Sequence, residues 1–237
     1  MSGATFYAGF DSYDCPSPAL LEWLDMSTNL YWAGYYLGPT PAHTGTSWMG
    51  QREAIQDLMF GILPIYVGQQ TTGPGSVPGN PSVTPAQGTT DGTQAATLMQ
   101  SEGFVANSYV YLDVEGGPPL NPAHPGYIAA WAAAVIAGGY RPGVYCSHWF
   151  AAQIQSLVPA ARIWGVKVPS VDLHTDNPPV VDSVLQFPAP DPAGCGFAGS
   201  YAWQREEEAQ LTVPANLGGT FTVDLSTCKS ADPGAPD

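Results

Sequence analysis

The sequence predicts an α/β protein that closes into a TIM-like (β/α) barrel of eight strands, with helices after the first five strands only. Strand-like and helix-like runs alternate through the first two thirds of the 237 residues, which indicates parallel strands joined by crossover helices. Eight strand candidates favour closure into a barrel. The alternative, an open doubly wound sheet, would carry a glycine-rich phosphate loop after its first strand, and GFDSYDC at residues 9–15 is not such a loop.

The predicted elements follow one another along the chain. The first five strands, rich in β-branched and aromatic residues, cover residues 5–11, 30–37, 62–67, 109–115 and 142–146. The helices that follow them cover residues 18–26, 48–61, 90–104, 125–137 and 148–158. Ser17 is a suitable N-cap for the first helix. The last three strands have no helix between them and cover residues 162–168, 200–204 and 220–225.

The chain is expected to form a single domain over residues 1–228, because no internal stretch has the composition of a linker. Residues 229–237 are expected to be a disordered tail. Nothing in the sequence demands an oligomer, so a monomer is expected.

The charge balance narrows the classes of partner. Twenty acidic residues face six basic ones, which gives a net charge of −14. A nucleic-acid-binding protein would show a basic stripe, and none is visible in the sequence. Binding to anionic membrane surfaces is disfavoured for the same reason. Neutral glycans remain possible partners. No run of about 18 apolar residues predicts a membrane-spanning helix. The amino terminus shows no signal peptide, so the chain is cytosolic, has lost a signal, or is exported by another route.

The cysteines allow more than one state. Their spacings fit no zinc site, and four cysteines can form two disulfides in three pairings or stay buried as free thiols. Because the first and eighth strands are neighbours in a closed barrel, Cys15 and Cys228 are expected in adjacent loops, where they could form a disulfide. Cys195 competes for either partner, and Cys146, at a strand end, is expected to be a packed thiol.

Acidic residues recur where the predicted strands end, and the functional site of such a barrel lies at the carboxyl ends of its strands. Asp11 follows the first strand, Asp113 and Glu115 the fourth, and Asp224 the eighth. Carboxylates avoid burial unless they are paired or functional, so the convergence of four predicts a catalytic site. Amide and aromatic residues at strand ends are expected to bind the substrate there: Gln69, Tyr145, Trp164, Trp203 and Gln204.

Asp113 and Glu115 are two residues apart, so their side chains leave the same face of the strand with Cα atoms about 6–7 Å apart. Their carboxyl groups can then approach within the range of about 5–9 Å that paired-carboxylate glycosidases use. Mutual repulsion would raise one pKa, so that one acid donates a proton while the other stays charged. The structural alternatives are a cap for the following helix or a site for a structural cation. Neither a cofactor nor a metal ion is predicted.

The order of these motifs resembles that of a known enzyme family. An Asp after strand one, D-x-E after strand four, W-Q after strand seven and V-D-L after strand eight are similar to glycoside hydrolase family 25, the Chalaropsis-type lysozymes. The segments GTQAATLMQSEGF and YVYLDVE, together with GYRPGVYCS, resemble more closely a related group, the glycoside-hydrolase-like domain of unknown function found in actinobacterial proteins. The resemblance covers residues 5–226.

The resemblance implies specific roles. Glu115 would be the general acid, and Asp113 would orient or stabilise the substrate's N-acetyl group or act as nucleophile. Asp11 and Asp224 would shape the electrostatic field of the site and position the sugar. The groove would be lined by Tyr145, Trp164, Trp203 and Gln204. The sequence departs from family 25 at Asp14 and Cys15, and at Arg205, where an aromatic residue is expected.

Three functional hypotheses follow. The first is a lysozyme-like muramidase that cleaves β-1,4 linkages of peptidoglycan or a similar glycan, acting outside the cell or in the cell envelope. The second is a non-catalytic glycan-binding or envelope protein that keeps the barrel mouth, which the altered motifs at strands one and seven favour. The third is a cation-dependent protein whose acidic cluster holds Mg²⁺ or Ca²⁺.

Overall fold

A computed structural model describes residues 4–73, 76–77, 79–168 and 178–237 and shows a closed barrel of eight strands. Around the barrel the strands follow the order β1-β10-β9-β6-β5-β4-β3-β2. Their bounds are β1 Tyr7–Asp11, β2 Leu30–Tyr36, β3 Gly61–Val67, β4 Tyr109–Asp113, β5 Arg141–Ser147, β6 Arg162–Val166, β9 Ala202–Thr212 and β10 Thr220–Cys228. A separate small hairpin consists of β7 Val180–Val181 and β8 Val184–Leu185. The predicted barrel is confirmed.

Helices follow each of the first five strands, as predicted. They are α1 Pro18–Ser27, α2 Arg52–Asp57, α3 Pro85–Ser101, α4 His124–Ala137 and α5 Ala151–Leu157. The hydroxyl of Ser17 caps α1 by accepting from the Leu20 N–H at 3.3 Å. Short 3-10 helices over Pro192–Cys195 and Ala215–Leu217 precede and follow β9. Across the described ranges, none of the helices is both long and apolar enough to cross a membrane.

The last strand runs against the expected direction. β10 is antiparallel to both of its neighbours, β9 and β1, because it returns from β9 through a short connection and a hairpin reverses the chain. β9 is also longer than predicted, since it continues through the acidic run after Gln204 to Thr212. The amino-terminal half of β10 and the end of β9 therefore extend past Asp11, where β1 ends.

Large aromatic side chains fill the interior of the barrel. Trp164 lies edge-on to Trp32, Tyr111 and Tyr145, with ring centroids 6.2, 6.3 and 4.8 Å away. A second apolar layer, which includes the fully buried Leu24 of α1, packs between the outer face of the strands and the helices. Because the interior is filled, a ligand can reach only the ends of the barrel.

All four cysteines are free thiols, so Cys15 and Cys228 do not form the disulfide that the sequence allowed, and their expected placement in adjacent loops is wrong. The direction of β10 gives the reason. Cys228 pairs in register with Tyr7 at the start of β1, whereas Cys15 follows the end of β1, so the two thiols lie at opposite ends of the barrel. Cys146 is a buried thiol, as expected.

Residues 229–237 differ from the disordered tail that the sequence predicts, because they cross the amino-terminal end of the barrel. The Gly234 N–H donates to the Ile62 carbonyl at 2.7 Å, and the Tyr109 N–H donates to the Gly234 carbonyl at 2.8 Å. The carboxylate of Asp237 forms ion pairs with Arg141 and Arg162. Most of this order comes from backbone hydrogen bonds, which leave no pattern in the sequence.

Removing residues 231–237 should destabilise the protein. The truncation deletes the backbone hydrogen bonds to Ile62 and Tyr109 and uncovers the end of the barrel, so we expect the free energy of unfolding to fall by about 2–4 kcal/mol. Urea unfolding followed by tryptophan fluorescence measures the change. The control is Asp237→Asn, which keeps the backbone bonds and removes the charge that pairs with Arg141 and Arg162, an effect expected to be smaller, at about 1 kcal/mol. Equal midpoints for the truncated and full chains would contradict this role.

Candidate active site

A cavity of about 510 Å³ opens at the carboxyl-terminal ends of the parallel strands. The four carboxylates predicted from the strand ends, Asp11, Asp113, Glu115 and Asp224, all line it. Its other walls are formed by Ser12, Tyr13, Asp14, Tyr36, Ala42, His43, Val67, Glu208, Phe221, Thr222 and Val223. None of these lining residues is Lys or Arg, so no cationic side chain of the wall neutralises the acids.

Asp11 and Asp224 come together through the closure of the barrel. They are directly opposite each other in the antiparallel register of β1 and β10. Asp11 is only 3% exposed, and its Oδ1 accepts a hydrogen bond from the Tyr36 hydroxyl at 2.9 Å. Its Oδ2 is buried and has no hydrogen-bond partner among the described residues, so nothing there offsets the cost of ionising it.

Asp113 and Glu115 are held by a buried amide. The Gln70 Nε2 donates to the Asp113 carbonyl at 2.8 Å, and the Gln70 Oε1 accepts from the Glu115 N–H at 3.0 Å. This clamp fixes the backbone on which both acids stand. Asp113 is the deeper, at 8% exposed, and within the described ranges its Oδ1 makes no hydrogen bond. Glu115 is only partly buried and extends into the cavity.

Glycines next to the acid pair allow a loop to pass close to Glu115. Gly73 has φ +82°, and a Cβ there would lie 2.9 Å from the Glu115 Cβ. Gly116 has φ +112°, and a Cβ there would collide with the Thr72 hydroxyl. The glycine that follows the acid pair is therefore required by the close approach of the loop after β3.

A β-bulge surrounds Asp224 with further acids. Two residues of β9, Glu207 and Glu208, together oppose Asp224 in the β10 register. Glu208 has φ +54°, and its backbone N–H donates to Asp224 Oδ1 at 2.7 Å. The Gln204 Nε2 donates to the other oxygen at 3.0 Å. Bulges bend a strand and redirect its side chains, and this one brings the charge of Glu207 close to the cavity.

Enclosure raises the pKa of each carboxyl group. Burial raises the pKa of Asp11 well above its ordinary value, Asp224 adds to the shift, and the Tyr36 hydrogen bond opposes it. Burial also raises the pKa of Asp113 well above its ordinary value, with contributions from Glu115 and Asp11. The pKa of Glu115 is raised by burial, then by the charges of Glu207 and Asp224. Each carboxyl group therefore keeps its proton to a higher pH than it would in water.

The pKa of Asp224 is raised to about 6. Burial is the main cause, and the Glu208 N–H opposes it. Sequence reasoning expected Glu115 to be the acid that keeps its proton while Asp113 stays charged. The structure adds that Asp113 is the more deeply buried of the two, so both resist ionisation.

The predicted substrate-binding residues divide into those near the acids and those elsewhere. Gln204 positions Asp224, and Tyr145 pairs in register with Asp113. Trp164 lies in the barrel interior, and its indole N–H donates to the Ser226 hydroxyl at 3.2 Å, so it does not line the cavity.

Trp203 and Gln69 also lie away from the cavity. The Trp203 ring is on the outer face of the barrel, where its N–H donates to the Lys167 carbonyl at 2.9 Å and its edge packs on Gly194. The Gln69 side chain donates to Asp91 of α3 at 3.3 Å. Because side chains alternate between faces, only one residue of each pair, Gln69–Gln70 and Trp203–Gln204, can face the acids.

Sequence reasoning missed an aromatic wall of the cavity. The His43 ring stacks on Tyr36 at a centroid distance of 4.9 Å and lies 4.4 Å from the Tyr13 ring. Burial lowers the pKa of His43, so the imidazole is neutral near pH 7. Tyr36 ends β2, and a polar aromatic residue at a strand end was the signal that could have revealed it. Tyr13 and His43 lie in loops, where no periodicity points to them.

Arg205 does not enter the cavity. It stands where the family-25 resemblance leads one to expect an aromatic residue, but its buried guanidinium pairs with Glu206 at 3.1 Å. In the described part of the chain, no group of three or more His, Cys, Asp and Glu side chains has the arrangement of a metal site.

Comparison with known proteins identifies the family. The family described as "Rv2525c-like, glycoside hydrolase-like domain" matches residues 30–184. The chain belongs to this family. This confirms the resemblance to a glycoside-hydrolase-like domain. No curated protein matches the sequence.

Solved structures share the fold of this family member. An uncharacterised B. stearothermophilus protein is 20% identical over 93% of this chain and 94% of its own, with a TM-score of 0.61. The Mycobacterium tuberculosis Tat-secreted protein Rv2525c is 12% identical over 96% and 98%, with a TM-score of 0.60. The Streptomyces coelicolor lysozyme is 11% identical over 94% and 92%, with a TM-score of 0.56. At these identities the likeness establishes the barrel.

Removing the charge of Glu207 should lower the pKa of Glu115. In Glu207→Gln the neighbouring charge that most disfavours ionised Glu115 is gone, so Glu115 should ionise at lower pH than in the wild type. The side-chain carboxyl ¹³C shift, followed through a pH titration, measures this. Glu208→Gln is the matched control, because Glu208 acts on Asp224 and is not among the charges that shift Glu115. Identical Glu115 titrations in wild type and Glu207→Gln would contradict the geometry of the bulge.

The acidic cluster should make the protein less stable as the pH rises. A carboxyl group whose pKa is raised by folding binds more protons in the folded state, so stability falls between its unfolded pKa of about 4 and its folded pKa, about 6 for Asp224. Asp113→Asn removes one such group. We expect it to raise the free energy of unfolding by at least about 1 kcal/mol more at pH 7.5 than at pH 4. Urea unfolding at both pH values measures this, with the exposed Glu22→Gln as control. If Asp113→Asn changes the free energy of unfolding equally at both pH values, protonation of Asp113 is not coupled to stability.

Proposed function

We propose that this protein is a retaining glycoside hydrolase that cleaves β-1,4 linkages of peptidoglycan or a similar glycan. The observation that carries the proposal is the convergence of four carboxyl groups on one cavity, whose walls contain no Lys or Arg among the residues that the structure describes. Paired carboxyl groups with raised pKa values are what glycoside cleavage needs, because one must deliver a proton while another supports a developing positive charge.

Glu115 is the proton donor in this proposal. It is the more accessible member of the acid pair, and burial together with the charge of Glu207 raises its pKa, which favours the protonated form that a general acid needs. As the bond from the anomeric carbon to the glycosidic oxygen breaks, that proton passes to the leaving oxygen, while the substrate's acetamido oxygen or Asp113 forms the new bond to the anomeric carbon that water later breaks. The resulting carboxylate then takes a proton from the water that completes hydrolysis.

Asp113 acts beneath the reacting sugar. Its Oδ1 makes no hydrogen bond to the residues that the structure describes, so it can accept one from the substrate's acetamido N–H or stabilise the charge at the anomeric carbon. Asp11 and Asp224 face each other across the barrel seam and position the sugar. Tyr36 and Gln204 hold these two acids in place.

The surroundings support a neutral glycan as substrate. The net charge of −14 disfavours polyanionic ligands, and the wall of Tyr13, Tyr36 and His43 offers aromatic faces for a sugar. A lysozyme from Streptomyces coelicolor shares the barrel. A role outside the cell or in the envelope fits this substrate, and Rv2525c of the same family is named as Tat-secreted.

A second candidate is glycan binding without turnover. The depth of Asp11 and Asp113, 3% and 8% exposed, favours it, since a buried acid reaches a substrate less easily. Neither Trp164 nor Trp203 lines the cavity, so the aromatic residues available to contact a sugar differ from those that the sequence resemblance implies.

Glu115→Gln separates the two candidates. The amide keeps the shape of the side chain and removes the transferable proton, so turnover should fall by about 10²-fold or more while glycan binding survives. Release of reducing ends from purified peptidoglycan measures turnover, and co-sedimentation with the same material measures binding. Exposed Glu22→Gln serves as the matched control and should behave as wild type. Equal activity in wild type and Glu115→Gln would remove Glu115 from the mechanism, and inactivity of the wild type with intact binding would favour the second candidate.

A further inference from the structure

Glu115 lines a second cavity as well as the first. This smaller cavity, of about 290 Å³, lies between the loop that follows β3 and the loop that joins β4 to α4. Its walls include Thr71, Leu120, Asn121, His124 and Phe150. Because one side chain borders both cavities, a ligand that passes over Glu115 can occupy them together.

His124 is a buried imidazole in the wall of this second cavity. It is 2% exposed, and neither ring nitrogen makes a hydrogen bond to any residue in the described ranges. Burial lowers its pKa, and the nearby backbone of Gln69 opposes that shift. A neutral imidazole has one donor and one acceptor. Leaving both unmet in a protein interior costs free energy that a ligand could recover.

We propose that the second cavity binds the acylamino group of a glycan unit adjacent to the one held at Glu115, with His124 hydrogen-bonded to its amide. This inference rests on the proposed function and specifies the substrate further. A secondary amide is neutral and offers one donor and one acceptor, which matches the neutral imidazole. Phe150 and Leu120 supply apolar walls for the acyl methyl group. A carboxylate or phosphate group in the same place would be repelled by ionised Glu115.

Two neutral probes test the inference. Chitotetraose carries an acetamido group on every ring, and cellotetraose carries a hydroxyl group in its place. Wild type should bind chitotetraose at least about tenfold more tightly by isothermal titration calorimetry, the value expected for about one well-made hydrogen bond. His124→Phe should lose that preference and leave cellotetraose affinity within about twofold. His124→Gln, which keeps a donor and an acceptor, should retain most of it.

The outcomes separate the inference from the function on which it rests. If His124→Phe lowers the affinity for both tetrasaccharides equally, or for neither, the second cavity does not recognise the acylamino group, and the hydrolase proposal stands. If wild type binds neither tetrasaccharide, the proposed glycan function fails together with the inference. A measurement without any variant covers the case in which His124→Phe does not fold. The imidazole ¹⁵N shifts of His124 should change as wild type is titrated with chitotetraose, and unchanged shifts at saturation would overturn the inference.

Discussion

The antiparallel pairing of β10 with β1 is the interaction on which the rest of the structure depends. It closes the barrel, and its register places Asp224 opposite Asp11 at the mouth. The hairpin that it forms with β9 carries the bulge that brings Glu207 toward Glu115. It also sends Cys228 to the opposite end from Cys15. Had β10 been parallel, the acids of the first and last strands would have been held by a different register.

The second constraint is electrostatic. A protein with few charged residues gathers several of its carboxyl groups on one cavity, and the walls of that cavity provide hydrogen bonds instead of cations. The Tyr36 hydroxyl, the Gln204 amide and the Glu208 backbone N–H each stabilise an ionised oxygen, while burial works against ionisation. Each acid therefore keeps its proton to a higher pH than it would in water. Such a cluster lowers stability at neutral pH, and it is the condition that proton transfer to a glycosidic oxygen requires.

The barrel and the acids could be predicted because both follow from strong local signals. The alternation of strands and helices indicates that the strands are parallel, and the carboxyl ends of parallel strands in a barrel lie together at one end. The direction of β10 was missed because the preceding strand was expected to end at residue 204, whereas β9 continues to Thr212 and leaves a connection too short for a parallel crossover. Neighbouring residues point to opposite faces, which is why Trp203 turned outward when Gln204 turned to Asp224. The clamp made by Gln70 was missed because it arises from contacts between segments distant in sequence.

A crystal structure of Glu115→Gln with bound chitotetraose tests the central claim most directly. The account predicts a sugar ring over Asp113 in the larger cavity, with a glycosidic oxygen within about 3.2 Å of the amide at position 115. The next ring should place its acetamido group against His124. A tetrasaccharide bound elsewhere, or one whose glycosidic oxygens all lie beyond hydrogen-bonding distance of position 115, would contradict the assignment of this barrel mouth as a hydrolytic site.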